Sequence, residues 1–290
     1  MAQAPLLDQA FLHKLERLML HWQRPFRGLV GGRIPSRFAG PGQEFLDHRH
    51  FHHGDDLRAV NWRAYMRLEK LFLKMFQVEP RIPVRLLIDV SESMANKFEY
   101  ARRLAAALCY IGLVRLDTIC VVPFSDKLFE AHMCSGGRHR FLPAARFLEE
   151  LKAVGRTDLM RVSRDFLADY PQRGLVLILS DFLGEADAEK PLQYIADAGH
   201  ELTLIQVWAQ EDREPQWEGE LDLEDVETGT RFELAADRSV LEKYRAEFDA
   251  HSRRLHDLAL RAGGRYVGLS SNTQLEEAIF DSMLRTGAVQ

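Results

Sequence analysis

LLIDVSESM, residues 86–94, joins a short apolar run to a cluster of carboxylate and hydroxyl side chains. Four apolar or acidic positions follow one another without polar alternation, which marks a strand covered on both faces, as in the centre of a parallel sheet. Asp89, Ser91 and Ser93 follow directly on that strand. In an open parallel sheet, ligands bind in the crevice beyond the carboxyl ends of the strands. A plainer reading stays open at this point: Ser91 and Ser93 cap the next helix, and Asp89 ties down the loop.

Outward from this stretch the same rhythm repeats. The spacing predicts strands over 84–89, 118–124, 127–133, 174–180, 201–208 and 265–269, separated by helices over 97–115, 141–151, 159–170, 186–198, 240–262 and 273–283. Short β-rich runs alternating with helical periods predict an α/β fold, a doubly wound, mainly parallel sheet. Residues 218–234 break the rhythm and read as an inserted β-hairpin turning at Thr228-Gly229, with Glu220, Asp222, Glu224, Asp225 and Glu227 on its arms and turn. Upstream, apolar residues from Leu6 to Met19 recur at three- and four-residue steps and predict a helix over 6–22. Strands over 44–51 and 71–78 flank a short helix over 58–66, and Gly, Arg and Pro crowd 28–42. The expected division is a smaller N-terminal lobe of helix and short strands, 1–82, and an α/β domain, 83–290.

The 290 residues carry 38 Lys and Arg against 43 Asp and Glu, a formal charge of −5, and 46% of them are apolar. This is a globular composition, and no apolar run approaches the ~20 residues that cross a bilayer. The first residues lack a basic segment ahead of an apolar one, so the expected location is the cytoplasm. Charge is unevenly spread: residues 13–85 hold 14 Lys and Arg against 7 Asp and Glu, and residues 86–290 hold 24 against 35. Such asymmetry indicates two lobes that attract each other or a basic lobe that prefers an anionic partner. Cys109, Cys120 and Cys134 are too few and too irregular for a disulfide framework or a thiolate zinc site.

Two further loops strengthen the ligand reading of Asp89, Ser91 and Ser93. Thr157 and Asp158 stand at the entrance of a later helix, and Ser180-Asp181 ends the strand LVLILS. On one sheet edge, Asp89, Ser91, Ser93, Thr157 and Asp181 converge as five oxygen side chains, the donor set of a hard cation such as Mg²⁺, or Mn²⁺ or Ca²⁺. Neutral hydroxyls leave such a cation under-neutralised, so it should accept a carboxylate from another molecule. No general base stands out among these residues. Adhesion without catalysis is the expectation.

The D-x-S-x-S loop, the Gly155-x-Thr157-Asp158 loop and Asp181, in this order, resemble the metal-ion-dependent adhesion site of the von Willebrand factor type A domain. Ser36, Gly40, Gly42, Glu44-Phe45, Arg49, Gly54-Asp55-Asp56, Arg58, Trp62 and Arg67 resemble the signature of the bacterial family called domain of unknown function fifty-eight. The chain departs from that pattern at Phe51, usually Tyr, and Asn61, usually Asp. The resemblance implies Ser91, Ser93 and Thr157 as direct metal ligands, Asp89 and Asp181 as holders of water ligands, and a MoxR-type AAA+ ATPase or its client as partner.

Other features have plainer readings. Gly54-Asp55-Asp56 is either a turn pairing with Arg58, Arg63 or Arg67, or a docking surface. His48, His50, His52 and His53 read as a solvated strand face before a metal site. Arg24, Arg27, Arg33 and Arg37 with Phe26 and Phe38 come without a nucleic-acid recognition motif, so no nucleic-acid partner is expected. Two other functions remain open: a phosphatase or phosphotransferase with Asp89 as nucleophile, though Ser91 stands where its general acid belongs, and a scaffold with an empty metal site. Glu220, Asp222 and Glu224 are the expected donors if a neighbouring copy supplies the carboxylate.

Overall fold

A computed structural model describes residues 6–18, 20, 37–39, 44–52, 60–77, 83–114, 118–183 and 188–289. In chain order its elements are α1 (Gln9–Leu15), β1 (Arg37–Ala39), β2 (Glu44–His50), α2 (Trp62–Leu68), β3 (Phe72–Gln77), β4 (Pro83–Asp89), α3 (Phe98–Val114), β5 (Thr118–Phe124), β6 (His132–Cys134), α4 (Phe141–Glu150), α5 (Leu159–Asp169), β7 (Leu175–Ser180), α6 (Glu189–Asp197), β8 (Glu201–Trp208), α7 (Gln210–Arg213), β9 (Gly219–Glu224), β10 (Arg231–Ala236), α8 (Arg238–Arg261), β11 (Arg265–Ser270) and α9 (Leu275–Glu277). A π-helical turn, Ala278–Met283, follows α9. The chain divides into two compact units, residues 25–81 and the remainder.

The larger unit is built on a six-stranded sheet in the order β6-β5-β4-β7-β8-β11. All neighbours run parallel except β6, which lies antiparallel to β5. This is an α/β, doubly wound, mainly parallel sheet, and the strand order reverses between β4 and β7. Strand residues feed both faces in turn. Leu86 and Ile88 join a core with α1, α3, α4 and α9, whereas Leu87 joins one with α5, α6 and α8. Double coverage explains why LLID and LVLIL carry no polar alternation.

The N-terminal helix corrects one expected boundary. Leu6, Leu7, Phe11, Leu15, Leu18 and Leu20 are buried in the core that contains α3, and Leu20 bridges Val289. The helix therefore belongs to the α/β unit and not to the basic lobe, because its apolar stripe is covered there. It is also shorter than its periodicity indicates: Asp8 caps it, accepting from the Phe11 amide at 2.7 Å, and beyond Leu15 the burial continues through a turn closed by the Leu18 amide on Leu15 O. The antiparallel edge strand likewise shrinks, from 127–133 to His132–Cys134, because only these residues pair with β5, while Leu128 turns back to make an isolated bridge to Phe124. The inserted hairpin is present as β9 and β10, paired antiparallel from Gly219↔Ala236 to Glu224↔Arg231.

Within residues 25–81, β2 and β1 flank β3 in an antiparallel sheet of the order β1-β3-β2. Asn61 caps α2 by accepting from the Ala64 amide at 3.3 Å, a position where Asn and Asp serve equally well. His50 packs on Phe72 with ring centroids 4.6 Å apart. Gly54-Asp55-Asp56, His53, Arg58 and the stretch from Arg24 to Arg33 lie outside the described residues. Cys109, Cys120 and Cys134 are buried and unpaired, and burial pushes all three thiols up. Among the described residues, no helix is long and apolar enough to cross a membrane.

Candidate metal centre

Asp89 ends β4 and Asp181 follows β7, so the two carboxylates stand at the carboxyl ends of the strands on either side of the reversal in strand order. That is where an open α/β sheet has a crevice, since the crossovers after β4 and β7 leave toward opposite faces. Asp89 is fully buried. Its Oδ1 accepts from the Ser91 amide at 2.9 Å and its Oδ2 from the Ser180 hydroxyl at 2.6 Å. Ser180 in turn accepts from the Phe182 amide. Burial first, and the charge of Asp181 second, push the Asp89 carboxyl up to about 7, against the opposing pull of these hydrogen bonds.

Backbone bonds bring the third loop to the same place. The Val90 amide donates to Phe124 O, the Glu92 amide to Gly155 O, and the Asp158 amide to Ser125 O. Gly155 sits at φ +80°, and a Cβ there would stand 3.1 Å from the Ser125 hydroxyl. This tight crossing leaves Thr157 buried at the entrance to α5. Ser91 and Ser93 share a hydrogen bond of 3.0 Å. Phe182, next to Asp181, holds φ +56°, a left-handed conformation unusual for a bulky residue and typical of sites where surrounding contacts impose the backbone.

Three partners of the site were not legible in the sequence. Lys97, 2% exposed, places its ammonium 2.9 Å from Asp181 Oδ2 and 2.6 Å from Asp212 Oδ2. Burial would lower this ammonium, but the two carboxylates outweigh it and hold it above the ordinary lysine range. Ser180 carries no sequence signal of its own, yet the parallel register Ile88↔Leu179 puts it beside Asp89. Glu227 reaches Thr157 from the hairpin turn, its carboxylate accepting from the Thr157 amide at 3.2 Å and standing 3.4 Å from the Thr157 hydroxyl. Glu220, Asp222 and Glu224, the donors expected from sequence, lie exposed or paired along β9.

The donor set fits a hard divalent cation. Asp181 is buried, its Oδ2 ion-paired with the Lys97 ammonium at 2.9 Å and its Oδ1 accepting from the Leu183 amide at 3.1 Å. Among the described residues no group of three or more His, Cys, Asp and Glu is placed to hold a metal, so any cation here would depend on hydroxyl ligands. At the carboxyl ends of β4 and β7 stand two carboxylates that repel each other, Asp89 and Asp181, with the Ser91–Ser93 hydroxyl pair on the loop after β4, oxygen donors of the kind a hard cation takes.

The sequence pattern of the family described as "Protein of unknown function DUF58" matches residues 47–254. The chain belongs to the DUF58 family. Its similarity to the uncharacterized protein Rv1480 of Mycobacterium tuberculosis is 25% identity, covering 87% of this chain and 82% of that protein. Among solved structures, BatB of Bacteroides thetaiotaomicron is 16% identical and covers 71% of this chain and 98% of its own, with a TM-score of 0.40. The VWA domain of SpRpn10 is 12% identical over 68% of this chain and 93% of its own, with a TM-score of 0.37. The DUF58 match spans both units, from β2 into α8.

Proposed function

We propose that this DUF58 protein is a non-enzymatic interaction module of the cytoplasm. It docks a partner's carboxylate on a divalent cation, Mg²⁺ by its chemistry, with Ser91, Ser93 and Thr157 as direct ligands and Asp89 and Asp181 acting through water. The bound cation supplies an under-neutralised positive centre. The chain's residues orient the hydroxyls and exclude bulk water from Asp89 and Ser91, and a partner would approach from the Thr157 side, where Glu227 now sits. The observation that supports this reading is the pair of buried carboxylates, Asp89 and Asp181, at the reversal of strand order, with the Ser91 and Ser93 hydroxyls 3.0 Å apart on the loop that follows β4. The partner we propose is a MoxR-type AAA+ ATPase or its client, a reading supported by the resemblance of the sequence motifs.

The test is capture of binding proteins by the full chain in Mg²⁺, in EDTA and with Asp89→Asn, which keeps the shape of a side chain holding Ser91 and Ser180. Recovery of an AAA+ ATPase or a discrete client only with Mg²⁺ and intact Asp89 is expected. Equal capture in all three arms would overturn the cation's role. The phosphatase reading requires a free Asp89 nucleophile, whereas both oxygens of this buried carboxylate are engaged. Hydrolysis of p-nitrophenyl phosphate that disappears in Asp89→Asn would restore it.

A further inference from the structure

The β9–β10 hairpin ends in a turn built to hold one side chain still. Asp225 Oδ1 accepts from the amides of Glu227 and Thr228 at 2.9 and 2.7 Å, the Gly229 amide returns to Asp225 O, and Gly229 takes φ +66°. The Thr228 amide, with help from the Arg156 guanidinium, holds the Asp225 carboxyl below its ordinary range. Arg156 is the neighbour of Thr157, so the turn and the Thr157 loop attract each other at two adjacent positions. Every residue of the turn from Asp225 to Thr230 is exposed except Glu227, which is half-buried.

Packing does not account for this contact. Along β9 and β10 only Leu221, Leu223 and Leu234 are half-buried, and only Ala236 at the base is buried. The arm is carried out over the site by its own ladder, and it touches the site through a carboxylate. Oxygens at adjacent positions of a six-coordinate Mg²⁺ stand about 2.9 Å apart, given metal–oxygen distances of about 2.0–2.1 Å. The Ser91 and Ser93 hydroxyls, 3.0 Å apart, already match that spacing, and Glu227 at 3.4 Å from the Thr157 hydroxyl needs to close by only a few tenths of an ångström.

We propose that Glu227 is this chain's own ligand for the open position of the cation site, so that the hairpin covers the docking point until a partner's carboxylate displaces it. The proposal rests on the cation reading above. It also defines the partner's contact chemically: one Asp or Glu presented on a turn narrow enough to enter where Glu227 sits.

The test uses the full chain with Mn²⁺ as probe, its binding followed by electron paramagnetic resonance and the turn followed by amide hydrogen exchange over residues 225–230. In the parent and in the control Glu220→Gln, Mn²⁺ is expected to slow exchange across the turn. In Glu227→Gln the exchange rate should not respond to Mn²⁺, and Mn²⁺ should bind roughly fivefold to tenfold more weakly, as for loss of one charged oxygen ligand. Mn²⁺ bound with unchanged affinity and with the turn protected in Glu227→Gln as in the parent would overturn the proposal while leaving the cation site standing. Mn²⁺ binding that is absent in the parent, or equal in the parent and in Asp181→Asn, would overturn the cation reading and the proposal with it.

Discussion

Lys97 supplies the positive charge between Asp181 and Asp212 at 2.9 and 2.6 Å. Deleting one partner of a buried ionic group costs about 3–5 kcal/mol, because the remaining charge has no counter-ion. Lys97→Met should therefore lower stability by that order in urea titrations with EDTA, and Mg²⁺ should recover part of the loss by taking over the charge. An unchanged midpoint in EDTA would show that Lys97 is not the counter-charge. Asp89 gives a pH signature. A carboxyl held at about 7 when folded binds its proton more tightly in the native state, so its contribution to stability is complete below about pH 4 and is lost as pH rises through about 7. In metal-free buffer the parent should lose stability between about pH 4 and about pH 7 more steeply than Asp89→Asn, and no faster above that. Parallel pH profiles would contradict the shifted titration. At this scale the sequence yields the residues that chemistry requires in a fixed local order, Asp89, Ser91 and Ser93. Lys97 and Glu227 were hidden because each acts across a long loop of chain, 84 and 70 residues from Asp181 and Thr157 respectively.

Among elements, the loop from Leu151 to Asp158 does most to place a ligand, and Gly155 is its constraint. A left-handed residue with a Cβ costs about 1–2 kcal/mol, and here the added carbon also presses on the Ser125 hydroxyl at 3.1 Å. Gly155→Ala is expected to destabilise the protein by about that much and to weaken Mn²⁺ binding through Thr157. Full Mn²⁺ affinity in the variant would mean that the loop tolerates the shift. The central strands were legible because coverage on both faces suppresses polar alternation, and β5 and β8 match their expected limits. The hairpin was legible from Thr228-Gly229 between two short alternating arms. The edge strand and the N-terminal helix were not, because periodicity reports which residues are buried but not whether the backbone between them stays regular: Leu18 and Leu20 are buried beyond the end of α1.

For the molecule as a whole, residues 25–81 are an insertion within the larger unit, since the chain begins in that unit, leaves it after Arg24 and re-enters at Ile82. Replacing 25–81 by a flexible Gly/Ser linker of about 20 residues should preserve a cooperatively unfolding, Mn²⁺-binding protein. Conversely, a fragment beginning at residue 82 lacks six buried apolar side chains of the N-terminal segment, each worth about 1.5–3 kcal/mol when covered, and should aggregate or unfold at markedly lower urea. A fragment as stable as the full chain would show that the N-terminal segment is dispensable to the core. The Leu20–Val289 bridge has a consequence for biosynthesis. Val289 is synthesised 269 residues after Leu20, an interval of about 15–55 s at about 5–20 residues per second. During translation the N-terminal segment meets α3, its first seat, long before the bridge at Val289 can close over Leu20.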